Sequence, residues 1–150
     1  MKRIVNTDRI ELNLAKTYPQ ERAVLKPRGL WYGIDNEWIE WCKNNMVHRV
    51  KKKIIELEDI NLSKILIIEN FKQLKVFSEE FSYKVDPYVN YINWEKISKK
   101  YSGIEIQNYY KIKEKESFPD LDNIWFWGWD VSSGCIWDLS IIKSFKYYEI

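Results

Sequence analysis

Histidine and cysteine are scarce in this chain, which holds only His48, Cys42 and Cys135. Two thiols cannot make a disulfide framework or a four-thiolate zinc centre, and no spacing joins them to His48 as a metal site. A lone histidine leaves little room for a Ser-His-Asp relay, and the carboxylates show no distinctive paired spacing. No glycine-rich phosphate loop of the Walker or dinucleotide-binding kind is present. Charge of one sign is lacking too: 24 Lys and Arg against 22 Asp and Glu leave a net +2, too little to argue for nucleic acid as the main partner. No apolar window approaches the roughly 18 residues of a membrane span, and Arg3, Asp8, Arg9 and Glu11 interrupt any apolar leader. These absences give the expectation of a soluble, reduced, cytoplasmic protein with no metal and no membrane partner. No Pro/Gly/Ser-rich linker, internal repeat or low-complexity tract divides residues 1–150, so one domain is expected.

What is plentiful is aromatic surface. Eight Trp and ten Tyr supply large apolar faces with polar tips, suited to cores and to binding clefts. One group of them lies in Gly29-Leu30-Trp31-Tyr32-Gly33, which runs into Asp35-Asn36 and then Trp38 and Trp41. The stretch reads as a loop from Lys26, a short aromatic strand, a turn and a helix start. Its two glycines let backbone approach a flat ligand such as a nicotinamide or a nucleobase, or simply close the ends of a buried edge strand.

Along the chain, Ile4 and Val5 centre a first strand within residues 2–10, ending in polar Asn6-Thr7-Asp8. Leu12, Ala15 and Tyr18 offer one short helical face, stopped by Pro19. Asn36 is a candidate N-cap for a helix to about Met46, with Trp38, Trp41, Cys42 and Asn45 on one face. Residues 47–58 read as a basic, β-branched strand with Lys51, Lys52 and Lys53 outward. Ile65–Ile68 is the apolar run expected to be a central strand, buried on both faces. Asn70 and Gln73 have capping-box spacing ahead of a helix buried through Leu74, Phe77 and Phe81. Asn93 opens another, with Trp94, Ile97 and Tyr101 on one face and Gly103 as its left-handed stop. Ile104-Glu105-Ile106-Gln107 alternates as a half-buried strand exposing Glu105 and Gln107. Residues 111–123 read as an exposed excursion. Residues 124–130 and 135–142 read as two strands joined by Ser132-Ser133-Gly134, with an exposed Trp125-Phe126-Trp127-Gly128-Trp129 run. Six or seven short strands with two or three short helices make the fold class α+β, a single domain with a split mixed or antiparallel sheet.

The order of these pieces resembles compact ADP-ribosyltransferase-like domains: a strand with a polar end, Gly-Leu-Trp-Tyr-Gly and a helix, Ile65–Ile68 and a helix, then Trp94 to Tyr101-Ser102-Gly103-Ile104-Glu105. The resemblance covers residues 1 to about 110, with the last two strands as a sheet edge. Toxins and phage-encoded inhibitors of bacterial defence belong to that superfamily. The resemblance implies NAD as substrate, cleavage of its nicotinamide glycosidic bond through an oxocarbenium-like transition state, and transfer to a macromolecule, a protein before a nucleic acid. It implies Tyr32 and Glu105 as catalytic residues, with Glu105 holding a ribose hydroxyl, and Trp31 beside Tyr32 as the wall of the ring. The first motif stays open among Arg3, Thr7 and Arg9, with Arg28 as a further candidate for the pyrophosphate; Ser133 or Ser132 would line the cleft or serve only the turn. The rival class is a non-catalytic inhibitor or binding protein that uses the aromatic cleft, or the 125–129 run, to hold a protein or nucleotide. A third reading stacks single-stranded nucleic acid on aromatics beside Lys51–Lys53.

Overall fold

Alternating apolar residues in short β-branched segments build one sheet of seven strands. The computed structural model describes residues 1–9, 11–85, 87–116 and 121–149. The strands are β1 (Arg3–Thr7), β2 (Leu30–Ile34), β3 (Lys53–Ile60), β4 (Ile65–Ile68), β7 (Gly103–Ile106), β8 (Ser133–Ile136) and β9 (Ile142–Glu149), while β5 (Ser82–Lys84) and β6 (Asn90–Ile92) form a separate hairpin. The spatial order is β4-β7-β8-β2-β1-β3-β9, antiparallel throughout except for the parallel β4–β7 pair. Parallel neighbours need a long crossover, and here it carries α2 (Phe71–Phe81), the β5–β6 hairpin and α3 (Trp94–Ser98). The other helices are α1 (Glu37–Asn45) and α4 (Tyr109–Glu114). The α+β class with a mostly antiparallel mixed sheet is as expected; the seven strands form one continuous ladder instead of a split one.

Side-chain alternation sorts the sheet into two faces. Trp31, Ile104, Ile106 and Cys135 face an aromatic core with Phe77, Trp94, Trp125, Phe126, Trp129 and Trp137. Leu30, Tyr32, Ile34, Val5, Ile55, Leu57 and Ile136 face a smaller core closed by Leu139, Ile141 and Ile142. Helix α2 forms as its pattern dictates: Leu74, Phe77, Ser78 and Phe81 are buried, and Asn70 caps it by accepting from the Gln73 amide at 2.9 Å. Gln73 returns the contact by accepting from the Glu69 amide at 2.6 Å.

Several expectations are corrected. Ile65–Ile68 is an edge strand, paired only with β7 among the described residues. It is apolar because Ile68 and Leu66 meet one core while Ile65 and Ile67 meet the other, so both faces are covered although one edge is free. Residues 121–129 form a 3₁₀ helix, not a strand, and Trp125, Phe126 and Trp129 are buried inside the aromatic core. The stretch 135–142 is divided: β8 ends at Ile136, a 3₁₀ turn spans Leu139–Ile141, and a further eight-residue strand, β9, follows. Residues 11–25 form no helix; Leu12, Leu14 and Tyr18 pack as a loop on the smaller core. The strand expected over 47–58 begins only at Lys53, after a 3₁₀ turn at Val47–Arg49. Helix α1 buries Ile39 and Cys42, leaving Trp38 and Trp41 half-buried and Asn45 exposed. Gly103 is no left-handed stop but the first residue of β7, where a Cβ would press on the Cys135 carbonyl at 2.8 Å. The excursion over 111–123 opens with α4, and its residues 117–120 lie outside the described residues. No described helix is long and apolar enough to cross a membrane.

Candidate functional site

On the aromatic-core side, strands β1, β2 and β8 leave a cavity of about 380 Å³ that α1 and the end of the 121–129 helix enclose. Gly33 permits this approach: a Cβ there would sit 2.9 Å from the Trp38 Cβ, so only a bare backbone lets α1 lie so close. The turn into α1 is set by Asp35, whose left-handed φ of 51° is held by paired contacts with Lys2: each backbone N–H donates at 2.8 Å, one to a carbonyl and one to the Asp35 carboxylate.

Four indoles line the cavity. Trp38 and Trp41, three residues apart on α1, stack at 5.3 Å with planes 9° apart, and Trp31 meets Trp129 edge-on at 4.9 Å. Lys26 lies 5.7 Å from the Trp31 ring and Arg49 enters from the 3₁₀ turn after α1, giving two cations. Asp130 is the single carboxylate in the lining. Asn6 borders the cavity but is consumed locally, donating to the Lys51 and Lys53 carbonyls at 2.7 and 3.1 Å and accepting from the Lys51 amide at 2.7 Å. Ser133 donates to the Val131 carbonyl at 3.0 Å. The Trp129 indole N–H is buried with no hydrogen-bond partner among the described residues.

A second constellation lies through the sheet, on the opposite face. Glu105 is fully buried and its carboxylate accepts four hydrogen bonds: from Arg3 Nε and Nη2 at 2.6 and 3.1 Å, the Tyr32 hydroxyl at 2.7 Å and the Gln107 side-chain Nε2 at 2.6 Å. Burial raises the Tyr32 phenol well above its ordinary value, with the Glu105 charge adding to the effect. Burial pulls the Arg3 guanidinium down, but hydrogen bonding and charge from Glu105 outweigh it and the pKa is raised. Acceptor and donors satisfy one another, so the cluster is a closed ion pair in the fold.

The expected site residues therefore separate. Arg3, Tyr32 and Glu105 do come together, yet Glu105 is not exposed, and Tyr32 and Trp31 cannot wall one ring because alternation along β2 sends them to opposite faces. Gly33 and Ser133 share the cavity with Trp31, and Tyr32 borders it only by its place between Trp31 and Gly33. Thr7 is outside both groups, its hydroxyl accepting from the Arg9 amide at 3.0 Å. Arg28 is an exposed loop residue paired with Glu21 at 2.6 Å. Lys26, Trp38, Trp41, Arg49 and Asp130 are cavity residues for which the sequence offered no individual ligand role, and Trp129 was expected to hold a ligand only as part of an exposed 125–129 run. The i, i+3 spacing of Trp38 and Trp41 directly after the Gly-bracketed strand was the available signal; Asp130 had none. Among the described residues no group of His, Cys, Asp and Glu is placed to hold a metal. No family model, no curated protein and no solved structure matches this chain.

Proposed function

We propose that this protein binds a nucleotide with a flat ring, NAD foremost, in the tryptophan-lined cavity, as an ADP-ribosyltransferase-like protein acting on a macromolecular target. The observation that carries the proposal is the cavity's make-up: four indole edges and faces for a ring, with Lys26 and Arg49 to neutralise phosphates. Trp31 keeps the wall role expected for it, and Ser133 its place in the lining. The roles expected for Tyr32 and Glu105 change. With its carboxylate sealed on the far face by Arg3, Tyr32 and Gln107, Glu105 supports the ligand site only by tying β7 to β1 and β2, two strands that line the cavity.

That same closure favours a second reading, a non-catalytic protein that holds a nucleotide without turning it over. Burial of Trp125, Phe126 and Trp129 removes most of the exposed tryptophan surface which the binding-protein reading had also offered, so both readings now share one cavity. The deciding experiment is calorimetric titration with NAD of wild type and Trp31→Ala, followed by incubation with labelled NAD and cell lysate. Binding lost in Trp31→Ala, with label on protein or nucleic acid, supports the transferase. Binding without consumption selects the non-catalytic reading, and no NAD affinity at all overturns the transferase.

A further inference from the structure

We propose that the cavity is a cage for a cationic aromatic ring, with Asp130 as the counter-charge, so that it selects the oxidised pyridinium form of the cofactor over its neutral dihydropyridine form. The inference rests on the reading of the cavity as an NAD site and adds what that site discriminates.

Aromatic faces attract cations through the ring quadrupole, most strongly for tryptophan and most of all where water is excluded. Trp31, Trp38, Trp41 and Trp129 line the cavity here, Trp38 and Trp41 stacked on each other, and Asp130 is the one carboxylate in the lining. Its backbone is in the left-handed region at φ 67°, in a γ-turn closed by the Val131 amide donating to the Trp129 carbonyl at 2.7 Å. Buried neighbours on both sides hold that strained turn, Trp129 and Val131, and the next amide, of Ser132, donates to Glu37 at 2.8 Å. Glycine would relieve the strain, so the turn alone does not call for an aspartate. The carboxylate is half-buried, and no hydrogen bond or ion pair holds it among the described residues. It therefore stands available to a cationic ligand in the cavity. The buried Trp129 N–H beside it likewise lacks an acceptor.

The charges of the cavity mirror those of the oxidised cofactor. Two cations, Lys26 and Arg49, answer a pyrophosphate, and one carboxylate answers the pyridinium. The reduced cofactor keeps the phosphates and loses the ring charge, leaving Asp130 unanswered.

Calorimetric titrations of wild-type protein with NAD⁺, NADH, N-methylnicotinamide (methylated on the ring nitrogen, a pyridinium cation), nicotinamide and choline test this. The expected result is at least about tenfold tighter binding of NAD⁺ than NADH, and of N-methylnicotinamide than nicotinamide, with choline weaker than N-methylnicotinamide. Asp130→Asn, which tolerates a left-handed backbone, should bring each ratio near one by weakening NAD⁺ and N-methylnicotinamide the most. Equal affinity of wild type for NAD⁺ and NADH overturns the proposal and leaves the NAD reading intact. Asp130-dependent binding of N-methylnicotinamide without NAD⁺ binding supports the cage and overturns the NAD reading. Choline matching N-methylnicotinamide overturns the pyridinium assignment, and no binding of any of the five overturns both.

Discussion

Tyr32 and Glu105 meet across a strand that belongs to neither: the Tyr32 hydroxyl donates to Glu105 at 2.7 Å by passing over Gly134 of β8. Gly134 pairs with Tyr32 on one side and Glu105 on the other, so the three lie in one row of the sheet. A Cβ on Gly134 would overlap Cζ and Oη of the Tyr32 ring.

Gly134→Ala should therefore destabilise the fold by roughly 1–3 kcal/mol through overpacking. Denaturant unfolding measures it. In a Tyr32→Leu background the same substitution should cost clearly less, because the overlapping atoms are gone; an equal cost in both backgrounds would place the effect in the backbone of β8 instead.

The Arg3–Glu105 pair should behave as one unit. Removing a single partner of a buried ion pair leaves the other uncompensated, so Arg3→Ala should cost about 3–5 kcal/mol. Glu105→Gln should also destabilise, and the double variant should lose much less than the two single losses added together. Additive losses in the double-mutant cycle would show that the two side chains do not share a contact energy.

Trp94→Ala should cost about 3–5 kcal/mol, since the ring is fully buried. Trp94 lies 6.0 Å from Phe77, 5.9 Å from Trp125 and 6.3 Å from Trp137, and its indole N–H donates to the Val24 carbonyl at 3.2 Å. A change near zero in urea unfolding would contradict that packing.

Stability should be level through neutral pH and fall in alkali. Tyr32 and Tyr109 are both held neutral in the fold by burial; Tyr109, whose hydroxyl donates to the Trp127 carbonyl at 3.1 Å, is pushed up to about 12 from an ordinary 10.0. A raised folded pKa means the folded state keeps protons that the unfolded chain releases. Their contribution is thus complete below about pH 10 and is lost as pH rises through the folded values. The unfolding midpoint followed across that window should drop, and Tyr109→Phe should flatten the part of the drop between about pH 10 and 12. A midpoint that climbs above pH 10 would reverse the sign and refute the assignment.

Local pattern settled much of this protein on its own. The spacing of Leu74, Phe77 and Phe81 behind Asn70 determined α2 and its buried side, because a 3.6-residue period and a cap are properties of the segment itself. The alternation around Ile4 and Trp31 determined β1 and β2, and the mixture of short strands and helices determined the α+β class. Tertiary structure alone decided which strand lies beside which. Side chains project perpendicular to a sheet, while its hydrogen-bonding edges lie in the plane, so an apolar run such as Ile65–Ile68 reports covered faces and is silent about a free edge. The same limit hid the site. Trp31 and Tyr32 are neighbours in sequence that the pleat sends to opposite cores, Glu105 reads as polar and exposed until Arg3, Tyr32 and Gln107 arrive from distant positions to neutralise it, and Asp130 reaches the tryptophans of α1 only once β8 pairs with β2.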